Sequence, residues 1–230
     1  MSKRYRNKFE RSERDFYATP IQSVAPLVTH LKAAGVRAFC EPCAGNDDLV
    51  RHLESFGLRC VSSGDIARGQ DALQVERFDA PVITNPPFTR NVLLPLLEHF
   101  IATAPSTWLL LSADFAHVAY ARPYLSRCTA IVTAGRARWF GGSGTENVAW
   151  YRFTRDHRAG PVFYNGDPIA SRITVCEECG VAFQSSRTDA KTCSDRCRKR
   201  LQRRRSANRD ASVTETTCEV SGHEMQGEAA

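Results

Sequence analysis

Several absences narrow the field before any motif is read. No apolar run in the 230 residues approaches the roughly 18 needed to span a membrane, so no membrane segment is expected. The polar, basic start has no apolar core of the kind a signal peptide carries, which points to a cytoplasmic protein. No internal repeat is visible. His99, His117 and His157 have no partner pattern, and they read as structural or surface residues.

What is present is long enough for one substantial domain with a small appendage. The net charge of +6 is unevenly spread: residues 1–14 carry +4, residues 186–209 carry +8, and the remainder sums to −6. An acidic body with basic ends suits a catalytic core with electrostatic arms for a polyanion, although solvated basic ends would look the same. Nine cysteines in a cytoplasmic chain argue against a disulfide framework. Cys40, Cys43, Cys60 and Cys128 read as small apolar packers near strands, whereas Cys176, Cys179, Cys193 and Cys197 cluster.

Strands are expected at 36–40, 58–62, 82–84, 107–111, 130–133 and 149–154, with helices over 20–34, 49–56 and 90–104 between them. A less regular helical piece falls within 114–125. Pro26 predicts a kink or a later start in the first helix, which Thr19 and Pro20 would open as cap and first residue. Alternating strands and helices indicate an α/β, Rossmann-like, doubly wound and mostly parallel sheet of seven strands, with an antiparallel strand at its edge. The expected divisions are a basic flexible arm over 1–14, a main domain over 15–157, a linker over 158–174, a zinc finger over 175–205 and a disordered tail over 206–230.

The run Val82-Ile83-Thr84-Asn85-Pro86-Pro87-Phe88 holds an Asn and an aromatic at the carboxyl end of a strand, and the prolines stiffen the exit. In open α/β sheets, ligands bind at that end. The first strand ends at Glu41, and the next turn, Pro42 to Asp48, contains Gly45, which permits close backbone approach. Asp65, at the end of the second strand, is placed to accept from ribose hydroxyls.

Phe16-Tyr17-Ala18-Thr19-Pro20, Glu41-Pro42-Cys43-Ala44-Gly45, Gly64-Asp65-Ile66, Asp71-Ala72-Leu73 and Asn85-Pro86-Pro87-Phe88 occur in that order. Together, over roughly residues 15–154, they resemble class I S-adenosylmethionine (SAM)-dependent methyltransferases acting on an exocyclic amine, and among these the short phage-type DNA N6-adenine methyltransferases. The resemblance implies that Tyr17 and Thr19 lie by the methionine moiety of SAM. It implies that Glu41 and Gly45 line the cofactor turn and that Asp65 holds the ribose. Ile66 would pack on the adenine ring, and Asp71 would accept from its amino group. The family usually has a second glycine two positions after the first. Here that place holds Asp47, whose carboxylate would either weaken SAM binding or cap the following helix.

An exocyclic base amine is a poor nucleophile, because its lone pair is delocalised into the ring. Accepting both of its hydrogens localises the pair, and Asn85 Oδ1 with the Pro86 carbonyl would do so. Neither Pro86 nor Pro87 adds a competing N–H. Phe88 offers a face on which an extruded base could stack. The same motif chemistry also serves RNA and glutamine-amide methylation, so it specifies a planar amino group rather than DNA. The segment 136–140 and the glycine-rich loop 141–144 are equally readable as cleft lining or strand-end surface.

Cys176-x2-Cys179-Gly180 followed by Cys193-x3-Cys197 has the spacing of a closed four-thiolate site for structural zinc. It resembles small bacterial treble-clef-like fingers through Phe183, Asp189-Ala190-Lys191 and Arg198. The following helix would carry Arg198, Lys199, Arg200, Arg203, Arg204 and Arg205 around most of its circumference, suited to phosphate contact. The expectation is therefore a SAM-dependent DNA adenine-N6 methyltransferase whose finger supplies DNA affinity. Its rivals are an RNA or protein-glutamine methyltransferase and a catalytically inactive nucleic-acid-binding module. No feature of the sequence sets an oligomeric state.

Overall fold

A computed structural model of the chain describes residues 17–139, 145–165, 173–185, 187 and 189–216, with Thr145 and residues 207–216 described by backbone alone. The basic arm, Phe16, Phe140 and the loop 141–144 lie outside the described residues.

The central sheet has seven strands: β1 (Ala38–Glu41), β2 (Arg59–Ser63), β3 (Val82–Thr84), β4 (Thr107–Ser112), β5 (Cys128–Arg138), β6 (Thr145–Phe153) and β7 (Val162–Tyr164). Their order across the sheet is β2-β1-β3-β4-β6-β5-β7. β1 pairs in parallel with β2 and β3, as β3 does with β4 and β5 with β7, while β6 runs antiparallel to both β4 and β5. The antiparallel strand is therefore inside the sheet, not at its edge as expected. The difference arises because β6 folds back between β4 and β5 and pairs with both, leaving β5 outside it. Val162-Phe163-Tyr164, read as part of a linker, is a β-branched and aromatic run that pairs with Ala130–Val132 and extends the sheet beyond β5.

Among the described residues, four α-helices accompany this sheet: α1 (Ile21–Ala33), α2 (Asp48–Ser55), α3 (Arg90–Thr103) and the short α4 (Arg122–Leu125). Two apolar clusters form on the sheet. One joins Leu93, Leu97, Phe100 and Ile101 of α3 to Val82, Leu109 and Tyr151. The other joins Val24, Leu27 and Leu31 of α1 and Leu49 and Leu53 of α2 to Phe39, Ile83, Trp108 and Trp150. Burial on both faces explains why β3 and β4 read as continuous apolar runs.

Pro26 neither ends α1 nor delays it. It cannot donate to the carbonyl of Gln22. The neighbouring carbonyl of Ser23 instead accepts from Trp150 Nε1 at 2.6 Å, which ties the helix to β6. Thr19 is not the cap of α1: Pro20 occupies that position, and no side chain caps the helix.

The C-terminal segment contains an antiparallel pair, β8 (Ile173–Val175) and β9 (Ala182–Gln184), and a 22-residue helix α5 (Asp195–Thr216). The helix continues past residue 205 into the stretch expected to be a disordered tail. Ser194, Ala207 and the residues around them contain no Pro or Gly to stop it.

Candidate functional site

The carboxyl ends of β1, β2 and β3 open on a cavity of about 490 Å³. Of the sequence-selected residues, Tyr17, Thr19, Glu41, Gly45, Asp65, Ile66, Asp71, Asn85 and Pro87 line it; Pro86 and Phe88 do not. Pro86 is buried, and Phe88 is half-buried against Tyr17 and Trp139, with ring centroids 6.4 and 6.0 Å away. Tyr17 and Trp139 also touch, at 5.6 Å, so three rings form a cluster beside Asn85.

The turn after β1 is held from two sides. Gly64 N–H donates to the Glu41 carbonyl and Ala44 N–H to the Gly64 carbonyl, both at 2.9 Å. Gly45, at φ 52°, adopts a left-handed conformation that favours glycine, and its N–H donates to Asp65 Oδ2 at 2.8 Å. Asp65 Oδ1 accepts from Ala67 N–H at 2.8 Å. A carboxylate has about four lone-pair sites, so this Asp can brace the turn and still accept from a ligand. Asp71 caps a short turn of helix by accepting from Leu73 N–H at 2.9 Å, and it also borders the cavity.

Glu41 is 1% exposed. Its Oε1 accepts from Cys43 N–H at 3.0 Å, and its Oε2 is buried with no hydrogen-bond partner among the described residues. Burial pushes its carboxyl up to about 8, against the pull of its hydrogen bonds. Burial therefore favours the protonated form of this carboxyl, and a cationic group facing Oε2 would favour the ionised one.

Asp47 lies outside the cavity lining. It has a left-handed backbone at φ 61°, the only positive φ among the described non-glycine residues. Its carboxylate accepts from Ser63 Oγ at 2.6 Å and from Arg68 at 3.1 and 3.3 Å. The Ser63 hydrogen bond first, and then Arg68, hold the carboxyl below its usual range. It does not cap α2. The carboxylate thus does not make the helix cap that the sequence allowed; it turns onto Ser63 of β2 and onto Arg68.

Asn85 donates from Nδ2 to the Tyr17 carbonyl and to Thr19 Oγ1, both at 3.1 Å. Its Oδ1 is buried and has no partner among the described residues. The Tyr17 carbonyl can only accept, so the amide nitrogen must face it, and the oxygen is left for the cavity side. Thr19, itself buried, thus orients Asn85 where the sequence suggested a helix cap.

Sequence reasoning missed Asn91, Val92, Pro95 and Leu96 of α3, which form one wall of the cavity. Their spacing of one, three and four residues marks a single helix face, but core packing gives the same signal.

In the C-terminal segment, Cys176, Cys179, Cys193 and Cys197 bring their sulfurs within 4.8 Å of one another. Cys179 to Cys193 is 3.5 Å and Cys193 to Cys197 is 3.6 Å. With metal–sulfur bonds of about 2.3 Å, a tetrahedral centre has edges of about 3.8 Å, so the set fits a four-thiolate metal site. Gly180, at φ 72°, lets the first pair fold back, with its N–H donating to the Cys176 carbonyl at 2.9 Å. Ser194 accepts from Cys197 N–H at 3.3 Å at the start of α5.

The basic residues of α5 do not surround the helix uniformly. Arg205 pairs with Glu177 at 2.7 Å, Arg204 with Glu178 at 3.6 Å and Arg198 with Asp195 at 2.9 Å. Lys199, Arg200 and Arg203 are exposed and have no ion pair among the described residues.

No protein-family model matches the chain, and no curated protein matches it by sequence. Solved structures do match. A protein from Pyrococcus horikoshii described as a candidate RNA methyltransferase aligns at 16% identity and a TM-score of 0.50, covering 64% of this chain and 90% of its own. A type I restriction-modification methyltransferase subunit from Streptococcus thermophilus aligns at 10% identity and a TM-score of 0.45, over 74% of this chain and 50% of its own. At these identities the likeness is one of fold. The chain has the Rossmann-like fold of class I methyltransferases, with a seven-stranded, mostly parallel sheet and a cysteine cluster near its C-terminus. No helix among the described residues is long and apolar enough to cross a membrane.

Proposed function

We propose that the protein transfers a methyl group from SAM to the N6 amino group of adenine in DNA. The observation that carries this reading is the Asn85 amide. Both of its hydrogens are committed to Tyr17 and Thr19, and its buried oxygen is left without a donor at the cavity. An unpaired buried acceptor costs about 1–3 kcal/mol, so the arrangement favours a ligand that brings an N–H to it. An exocyclic amine is such a ligand.

The rest of the cavity fits SAM by the chemistry of its donors and acceptors. Glu41 Oε2 offers a buried carboxylate oxygen to a cationic group, and Gly45 lets the backbone come close. Asp65 and Asp71 offer acceptors for hydroxyl and amino hydrogens, and Ile66, which is 65% exposed, offers an apolar edge. When bound, SAM supplies an activated methyl on a sulfonium, so the chain has only to align the amine and withdraw its hydrogens. The Tyr17–Phe88–Trp139 cluster stands next to Asn85, where an extruded base would be received. The cysteine cluster holds a structural zinc, and α5 beside it supplies DNA affinity.

The test is to digest DNA from cells expressing the protein and measure N6-methyladenine. Wild type raises it and Asn85→Ala does not; equal levels in the two sink the mechanism. Labelled methyl transfer to RNA or to a protein glutamine, without transfer to duplex DNA, would move the same geometry to another substrate. Loss of SAM binding in calorimetry with DNA binding intact would leave a nucleic-acid-binding module.

A further inference from the structure

Apart from Arg198, which pairs with Asp195 within the helix, the cations of α5 described with their side chains fall into two sets. The first faces the metal knuckle: Cys197 and Leu201 are buried, and Arg204 and Arg205 bind Glu178 and Glu177, which lie between the first two cysteines. The second set is Arg196, Lys199, Arg200 and Arg203. All four are exposed, and none has an ion pair among the described residues. Their spacing is i, i+3, i+4 and i+7, which places them on one stripe of an α-helix about 10 Å long. Arg196 precedes the basic run and is not among the cations singled out from the sequence.

We infer that this stripe is the surface that contacts the phosphate backbone of duplex DNA, and that Arg204 and Arg205 are structural pins of the metal knuckle. The inference rests on reading the finger as a DNA-affinity module, and it is independent of methyl transfer. Four like charges on one face repel one another and gain nothing within the described fold, whereas a polyanion compensates all four together. An acidic protein would compensate them too. The duplex is favoured because it presents about one negative charge per 1.7 Å of its axis, dense enough to face all four cations over the stripe's length of about 10 Å. The pins have the opposite logic. Their partners are acidic residues of the knuckle itself, so they fix the stripe's direction relative to the metal site.

The experiment uses the full-length, zinc-loaded protein and a fluorescent 20-base-pair duplex of mixed sequence. Binding is followed by anisotropy across a salt series, and zinc release with a chromogenic chelator. Arg196→Gln/Lys199→Gln/Arg200→Gln/Arg203→Gln should weaken binding by at least about tenfold and lower the slope of log affinity against log salt by about 3 to 4. Its zinc should be released no faster than from wild type. Arg204→Gln/Arg205→Gln should release zinc faster while changing the salt slope by less than about 1. Equal slope losses in the two variants, or a loss confined to the second, would overturn the assignment. A matched RNA duplex, or an acidic peptide, bound more tightly than the DNA through the same four residues would overturn the choice of DNA. DNA binding through the stripe in a protein that transfers no methyl group would uphold this inference and remove the proposed activity.

Discussion

The carbonyl of Tyr17 determines which way the amide of Asn85 faces. The two residues are 68 apart in sequence, and the 3.1 Å hydrogen bond between them leaves the Asn85 oxygen as the open acceptor. Thr19 adds the second hydrogen bond.

Asn85→Ala should abolish methyl transfer while leaving SAM affinity within about threefold, because the cofactor's proposed contacts are Glu41, Gly45, Asp65, Ile66 and Asp71, in the turns after β1 and β2. Thr19→Ala removes one orienting hydrogen bond, worth about 1 kcal/mol, and should lower the rate about five- to tenfold. Single-turnover methyl transfer with calorimetric SAM binding checks both. An unchanged rate in Thr19→Ala would show that Tyr17 alone suffices.

Glu41 should couple pH to both stability and binding. Its folded-state value of about 8 stands above the ordinary 4.5, so the folded form keeps a proton that the unfolded chain loses. Stability therefore falls as pH rises from about 4.5 to about 8, and levels off above that. A cationic ligand needs the ionised form, so its affinity should rise about tenfold per pH unit up to about 8 and then level off. Glu41→Gln should raise the melting temperature at pH 8, flatten the pH dependence and weaken SAM binding. Thermal melts and calorimetry over pH 5–9 measure each arm.

Asp47 supplies a left-handed turn residue whose charge is already neutralised by Arg68 and a Ser63 hydrogen bond. Asp47→Gly should keep SAM affinity within about twofold. Asp47→Ala keeps the unfavourable backbone conformation and should be less stable than the glycine variant by about 1 kcal/mol in urea unfolding. A large gain in SAM affinity in either variant would show that the carboxylate does reach the cofactor.

Removing zinc should unfold the finger and spare the main domain, whose apolar clusters contain none of the four clustered cysteines. Chelation should lower helical ellipticity, weaken DNA binding and reduce its salt dependence. Unchanged DNA affinity after complete zinc loss would detach the finger from that role.

Much of the architecture was legible because parallel strands announce themselves as apolar runs, as in Val82–Thr84 and Thr107–Leu111, and because Gly35 and Gly57 mark the ends of α1 and α2. The residues gathered around the cavity were legible because each sits at a strand end or turn where packing alone does not call for its chemistry. The α3 wall was not legible, since Val92 and Leu96 satisfy a core pattern equally well. β7 was missed because Val162, Phe163 and Tyr164 are an exposed edge strand with no alternation to read. Asp47 could not be resolved from sequence, because its effect depends on where one carboxylate turns. The division of α5 into a pinned and an open face depends on Glu177 and Glu178, which lie before the helix and far outside its periodicity.

The bond from Trp150 to the Ser23 carbonyl also has a bearing on how the molecule could be silenced. It anchors α1 to the sheet independently of residues 17–20, which lead into the helix. A cut between Thr19 and Ile21 would therefore leave the anchored helix and the sheet standing while releasing the two groups that aim Asn85. Under the proposed function, trimming at that point would leave the fold standing with Asn85 no longer aimed.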